Sequence, residues 1–195
     1  AQENIEAAAR AIVSGDLVAF PTETVYGLGA DAMNPTAVAK IFEAKRRPFF
    51  DPLIVHVFDP SWLERLASEI PAGASALIDR FWPGPLTIVF RKKQDVPDIV
   101  TAGLATVAVR MPSHPAAREM IRLANTPVAA PSANPFGYLS PTTAEHVRRQ
   151  LAGAVDIIID GGSCPVGVES TIIRIEPDRT LILRQGGVTA EEIAE

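Results

Sequence analysis

Three consecutive cations, Lys45-Arg46-Arg47, are followed by Pro48, Asp51 and Pro52 and then by an apolar run that holds His56 (KRRPFFDPLIVH). Rigid prolines on either side would hold such an elbow in place. Phosphate is the anion that suits it, with lysine as a point charge and arginine as a planar fork. The plainer alternative is that the cations close a helix and offset its dipole. Chemistry alone leaves both open. Arg110 ends the apolar run VAVR and needs an anion there, either a structural carboxylate or one on a ligand. His56, inside its apolar run, is by default a satisfied core histidine. Ser132, Asn134 and Ser140 lie in a polar loop, Ser170 and Thr171 open one strand, and Arg184 ends the last. Polar groups gathered at strand ends mark the usual ligand position in α/β folds. Together they describe a site for an anionic ligand.

The stretch FPTETVYGLGADA also carries a pattern, since Gly27, Gly29 and Ala32 spell the G-x-G-x-x-A of a dinucleotide-binding turn. That turn needs its first glycine just past a strand and its last at a helix start. Here six residues, Pro21 to Tyr26, stand before Gly27, and the helix start comes only at Asn34–Pro35. The nicotinamide reading fails. Glycines in a tight turn account for Gly27 and Gly29 but leave Thr22, Thr24 and Tyr26 unexplained. No Gly-Lys pair exists for a P-loop, and GGSCP breaks the nucleophile-elbow pattern at its last position. His56, His114 and His146 have no metal-ligand spacing, so no metal site is expected, and Cys164 reads as a small apolar filler.

The elements that must position these groups can be read from periodicity and punctuation. Helices are expected at Ile5–Ser14, from Asn34–Pro35 to Lys45, at Ser61–Ala67, at Ala74–Phe81, and from Pro115 to Ala124. Another is expected from a Thr142/Glu145 capping box to Leu151. Strands are expected at Leu17–Phe20, Leu53–Val57, Leu86–Arg91, Thr106–Met111, Val128–Ala130, Ile157–Ile159, Thr171–Ile175 and Leu181–Arg184. No repeat or composition break divides the chain. The expectation is one α/β domain over residues 1–195, a twisted mixed sheet flanked by helices with a ligand groove at the strand ends.

Composition narrows the class. The 195 residues are 47% hydrophobic and 21% charged, an ordinary globular mixture. A net charge of −5 argues against broad nucleic-acid coating, though not against a local basic pocket. No apolar run reaches membrane-span length, and the first residues lack a signal peptide's pattern, so no membrane association is expected. One cysteine rules out an internal disulfide framework and points to a cytoplasmic location. Seventeen prolines, mostly at segment borders, suggest rigid loops carrying function.

In combination the motifs closely resemble the threonylcarbamoyl-AMP synthase family, the YrdC-type domain. They are PTETVYGLG from Pro21, Lys45-x-Arg47-Pro48 with Pro52–Leu53 and His56, TVAVRMP from Thr106, and PSAN with Ser140–Pro141. ESTI from Glu169 and Leu183–Arg184 complete the set. They stand in the family's order over nearly the whole chain. The resemblance implies a YrdC/RibB-like fold and a nucleotidyltransferase that makes threonylcarbamoyl-AMP and pyrophosphate from L-threonine, bicarbonate and ATP with Mg²⁺. The product would serve tRNA modification to threonylcarbamoyladenosine, with tRNA and the transferase complex as partners. It also implies that Thr24, His56, Arg110, Ala130 and Ser170 line a threonine site. An ATP site would comprise Lys45, Arg47, Asp51, Thr106, Ser132, Ser140 and Arg184, with Asn134 supporting the loop and Lys45 and Arg47 catalytic. Arg110's anion would then be the threonine carboxylate.

The family usually has Asn at the position of Asp51. Pairing with Arg46 or Arg47 is the favoured role for that carboxylate, with Mg²⁺ ligation the alternative. Many relatives carry a second C-terminal domain, so the resemblance fits either a short form or an N-terminal catalytic domain. Two other functions share the fold: a double-stranded RNA-binding module, and the carbamoyl-adenylate domain of hydrogenase-maturation proteins. Acidic balance disfavours the first, and the absence of acylphosphatase and zinc-finger segments disfavours the second.

Overall fold

The computed structural model describes residues 2–151 and 153–195. In chain order these form α1 (Gln2–Ser14), β1 (Val18–Phe20), β2 (Gly27–Asp31), α2 (Pro35–Lys45), β3 (Ile54–His56), α3 (Leu63–Leu66) and β4 (Ala67–Glu69). There follow α4 (Ala74–Phe81), β5 (Leu86–Lys92), α5 (Asp98–Thr101), β6 (Thr106–Arg110), α6 (Pro115–Ala124) and β7 (Val128–Ala129). The last are α7 (Ala144–Leu151), β8 (Ile157–Ile158), β9 (Thr171–Ile175), β10 (Thr180–Arg184) and α8 (Ala190–Ala194). No helix among the described residues is long and apolar enough to cross a membrane.

The strands make one mixed sheet in the order β10-β9-β5-β6-β3-β7-β2-β1-β8, with β4 beside β5. β3 runs parallel to β6 and β5 parallel to β9, whereas β5/β6 and β3/β7 are antiparallel. One apolar cluster packs α1 and α6 on the sheet through Ile12, Phe20, Met120 and Ile121. A larger one gathers Tyr26, Ile41, Phe42, Leu53, Phe90 and Ile173 with α2. The sheet is therefore covered by helices, as its apolar strands require.

Local signals account for most boundaries. Asn34 caps α2, its side chain accepting from the amides of Thr36 and Ala37, with Pro35 in the first turn. The helix ends at Arg46 in the left-handed conformation, φ 52° and ψ 40°, which turns Arg47 away from the helix axis. Three expectations need correction. Ser61–Ala67 is not one helix: a 3-10 turn, Pro60–Trp62, leads into the short α3, and Ala67 already begins β4. The cap of α7 comes from Thr143, whose hydroxyl accepts from the His146 amide, rather than from Thr142. Most importantly, Gly27 and Gly29 lie in β2, not in a tight turn. A Cβ on Gly29 would stand 2.6 Å from the Phe20 ring and 2.8 Å from Val128. These glycines let β1, β2 and β7 close on the Phe20 ring.

Candidate active site

The C-terminal ends of the parallel pair β3 and β6 bring two residues side by side: His56 pairs with Arg110 in register. Both face a cavity of about 240 Å³. The Pro21–Tyr26 loop forms one wall, and its shape is set by Thr22. That hydroxyl accepts from the amides of Thr24 and Val25, each at 3.2 Å, and donates to the Val25 carbonyl at 2.6 Å. This local turn is what serine and threonine favour outside regular structure. Thr24 Oγ1 lies 2.8 Å from Thr22 Oγ1, close enough for one hydroxyl to donate to the other.

Arg110 is only 4% exposed and each of its three guanidinium nitrogens has a partner. Nη2 donates to Glu23 Oε1 at 2.6 Å, Nη1 to Thr24 Oγ1 at 3.0 Å, and Nε to the Gly84 carbonyl at 3.3 Å. The anion that the end of β6 requires is therefore present within the chain: Glu23, not only a ligand carboxylate. On the opposite wall Arg184 donates through Nε and Nη2 to the Ser170 carbonyl, while Ser170 Oγ lies 2.7 Å from Thr87 Oγ1. Arg47 pairs with Asp51 at 2.9 Å and also donates to the Pro52 carbonyl, so the favoured pairing of Asp51 is the geometry observed. Burial lowers the Arg47 pKa, with Asp51 opposing the shift. Burial likewise lowers that of Arg184, opposed by Glu169 and reinforced by the positive charges of Arg110 and Arg47. Three guanidiniums around a single cavity mark it as a site for anionic groups.

Of the residues expected at the site, Thr24, Arg47, Asp51, His56, Arg110, Ala130, Ser132, Ser170 and Arg184 line the cavity. Four do not. Lys45 is 1% exposed behind the wall, its ammonium donating to the carbonyls of Ser132 and Asn134. Burial and then the Arg47 charge push its pKa down to about 7, while Asp51 acts the other way. Asn134 is buried and bridges the Pro135 and Tyr138 carbonyls, which makes it a brace for the loop. Ser140 stands behind Glu169, donating to its carboxylate at 2.5 Å. Thr106 is not brought to the cavity: it pairs with Arg91 at the opposite end of β6 from Arg110. Four residues of extended chain separate the two by about 13 Å. Strand direction sets it outside this cavity.

Glu23 and Glu169 are the functional candidates missed in the sequence. The signal for Glu169 was its place in ESTI, already noted for its serine and threonine. His56, in turn, has its Nδ1 buried with no hydrogen-bond partner among the described residues. Burial first, then the Arg110 charge, lowers its pKa to about 3, so it is neutral at physiological pH. Below an unfolded-state pKa of about 6.5 the unfolded chain takes up a proton that the folded chain refuses, so His56 costs stability as the pH falls from there toward 3. The full loss is on the order of 5 kcal/mol. Denaturant titrations of wild type and His56→Gln should run parallel above pH 7 and converge or cross as the pH drops to 4. Parallel curves throughout would assign His56 an ordinary pKa.

The Sua5/YciO/YrdC family model, described as telomere recombination, matches residues 10–186. The threonylcarbamoyl-AMP synthase of Pyrococcus abyssi is 53% identical, the match covering 97% of this chain and 56% of that protein. The Bacillus subtilis protein of the same name is 52% identical, over 97% of this chain and 55% of its own. The chain thus spans about half the length of these curated relatives. The crystal structure of P. abyssi Sua5 complexed with L-threonine superposes with a TM-score of 0.95 at 53% identity, covering 97% of this chain and 56% of the other. With the sheet, the arginine-lined cavity and the motifs in register, the chain belongs to the Sua5/YciO/YrdC family.

Proposed function

We propose that this chain is the catalytic domain of a threonylcarbamoyl-AMP synthase, a nucleotidyltransferase that converts L-threonine, bicarbonate and ATP into threonylcarbamoyl-AMP and pyrophosphate. The observation that carries the reading is the cavity itself. An arginine held beside a threonine hydroxyl, Arg110 and Thr24, shares one space with a second cationic wall, Arg47 and Arg184. The first pair suits an amino acid and the second a polyphosphate. Similarity to a Sua5 bound to L-threonine supports the first assignment.

Chemically, the threonine amine and bicarbonate condense to a carbamate with loss of water. A carbamate oxygen then forms a bond to the α-phosphorus as the bond to the β-phosphate oxygen breaks, and pyrophosphate leaves with that electron pair. Such a displacement needs positioning and charge stabilisation more than covalent help. Arg110 and Thr24 would hold the amino acid, neutral His56 would face it, and Ser170 would bound it. Arg47, Ser132 and Arg184 would hold the phosphates, with Lys45, Asn134 and Ser140 bracing them from behind.

The charges in the site argue for a divalent cation. Three guanidiniums already have carboxylates nearby in Asp51, Glu23 and Glu169. Little surplus positive charge is left for a triphosphate. No cluster of three metal-ligating side chains occurs among the described residues. Mg²⁺ would therefore be held chiefly by the phosphates, as is usual for this ion, with Asp51 and Glu169 the carboxylates within the cavity. When bound it would neutralise charge on the leaving pyrophosphate. The product would pass to a threonylcarbamoyl transferase complex acting on tRNA, and a single cysteine suits a reducing compartment such as the cytoplasm. The net charge of −5 continues to disfavour a double-stranded RNA-binding module.

Pyrophosphate release should require ATP, Mg²⁺, L-threonine and bicarbonate together. Omitting any one should bring release to the uncatalysed background in a coupled pyrophosphatase assay. Equal turnover without threonine would overturn the reading.

A further inference from the structure

We propose that Glu23 is the positioning residue for Arg110, fixing its guanidinium so that its remaining N–H groups meet an α-amino acid. This rests on the reading of the cavity as an amino-acid site. Arginine has five N–H donors, and three are already spent on Glu23, Thr24 and the Gly84 carbonyl. One is left on each terminal nitrogen of a side chain that lines the cavity. Arginine N–H groups left free in a cavity suit a carboxylate.

Glu23 is suited to hold them because it is itself held at both ends. Oε1 receives Arg110 while Oε2 accepts from the Ser113 amide at 3.0 Å, so one carboxylate clamps both the end of β6 and the chain leaving it. The Glu23 carbonyl accepts from the Val166 amide at 2.9 Å, which ties its backbone to the opposite loop. Next to this clamp, the Thr24 hydroxyl is held by Arg110 and by Thr22, which fixes its oxygen at the edge of the cavity. Fixed donors beside a fixed hydroxyl complement the carboxylate and a neighbouring polar group of one amino acid. Glu23 sets that arrangement without touching the ligand.

Calorimetric titration of wild type and Glu23→Gln with L-threonine, and separately with Mg²⁺-ATP, tests this. The amide keeps the shape of the side chain but sets a donor against either Arg110 or the Ser113 amide. Threonine affinity should fall about tenfold or more, the effect of misplacing a charge-assisted contact. ATP affinity should stay within about twofold. Adding Glu23→Gln to Arg110→Lys should cost little further, because both act through one guanidinium. Unchanged threonine affinity, equal loss of both ligands, or additive losses would each overturn the role of Glu23. A wild type that fails to bind threonine would instead overturn the reading of the site. Should Glu23→Gln not fold, side-chain NMR of the free wild type decides. Separate, slowly rotating Arg110 Nη resonances are expected, and a freely rotating guanidinium would exclude the clamp.

Discussion

Arg110→Met should cost about 3–5 kcal/mol of folding free energy, the penalty for breaking a buried pair and leaving one charge behind. The charge left behind is Glu23, 7% exposed, which would keep only the Ser113 amide as a donor. For a chain of 195 residues that corresponds to a fall in melting temperature of about 10 °C or more. Arg110→Lys separates binding from folding. Lysine keeps the positive charge for Glu23 but cannot reach the Gly84 carbonyl, Thr24 and Glu23 in one plane. Its stability should lie between the other two proteins, while threonine affinity falls tenfold or more and ATP affinity changes much less. If Arg110→Met melted within about 2 °C of wild type, the ion pair would contribute nothing measurable and Glu23 would have to be solvated.

How this pair was missed in the sequence shows what a sequence reveals. The end of a strand with an arginine is a local feature, and VAVR displayed it. Its partner stands 87 residues earlier, inside a motif whose threonines drew attention first. Nothing local in PTETVYG distinguishes a glutamate that faces solvent from one that crosses to the end of β6. The helix signals were legible for the same reason that the pair was not: the Asn34 cap, Pro35, Pro115 and the glycine after Ser14 act on their own neighbours. Gly27 and Gly29 misled because a glycine demanded by side-chain crowding looks, in a string of letters, like one demanded by a turn. Only the pairing of β1 with β2 and the Phe20 ring reveal the crowding. For Thr106 the resemblance is the one pointer to the nucleotide, and the direction of β6 sets it away from the cavity.

Lys45 was expected to touch the nucleotide, yet it lies behind Ser132 and pins the PSAN loop by two carbonyls. Replacing it with methionine would leave those carbonyls short of a donor, at about 1–3 kcal/mol each where they stay dry. Nucleotide affinity should fall by tenfold or more as Ser132 loosens. The pH dependence is the sharper test. With a folded pKa of about 7 against 10.5 unfolded, the unfolded chain binds more protons between those values. The stability of wild type relative to Lys45→Met should therefore rise as pH increases from 7 toward 10, and stay flat below 7. Affinity for ATP should move the opposite way, since the neutral amine adds no attraction for phosphate. Phosphate nearby raises the lysine pKa in turn, so ATP binding near pH 7.5 should take up a proton. Titration in buffers of different ionisation enthalpy measures that uptake directly. Proton uptake in wild type and none in Lys45→Met would show that Lys45 senses the nucleotide's charge from behind the wall. No uptake in either would make it a strut for the loop and nothing more.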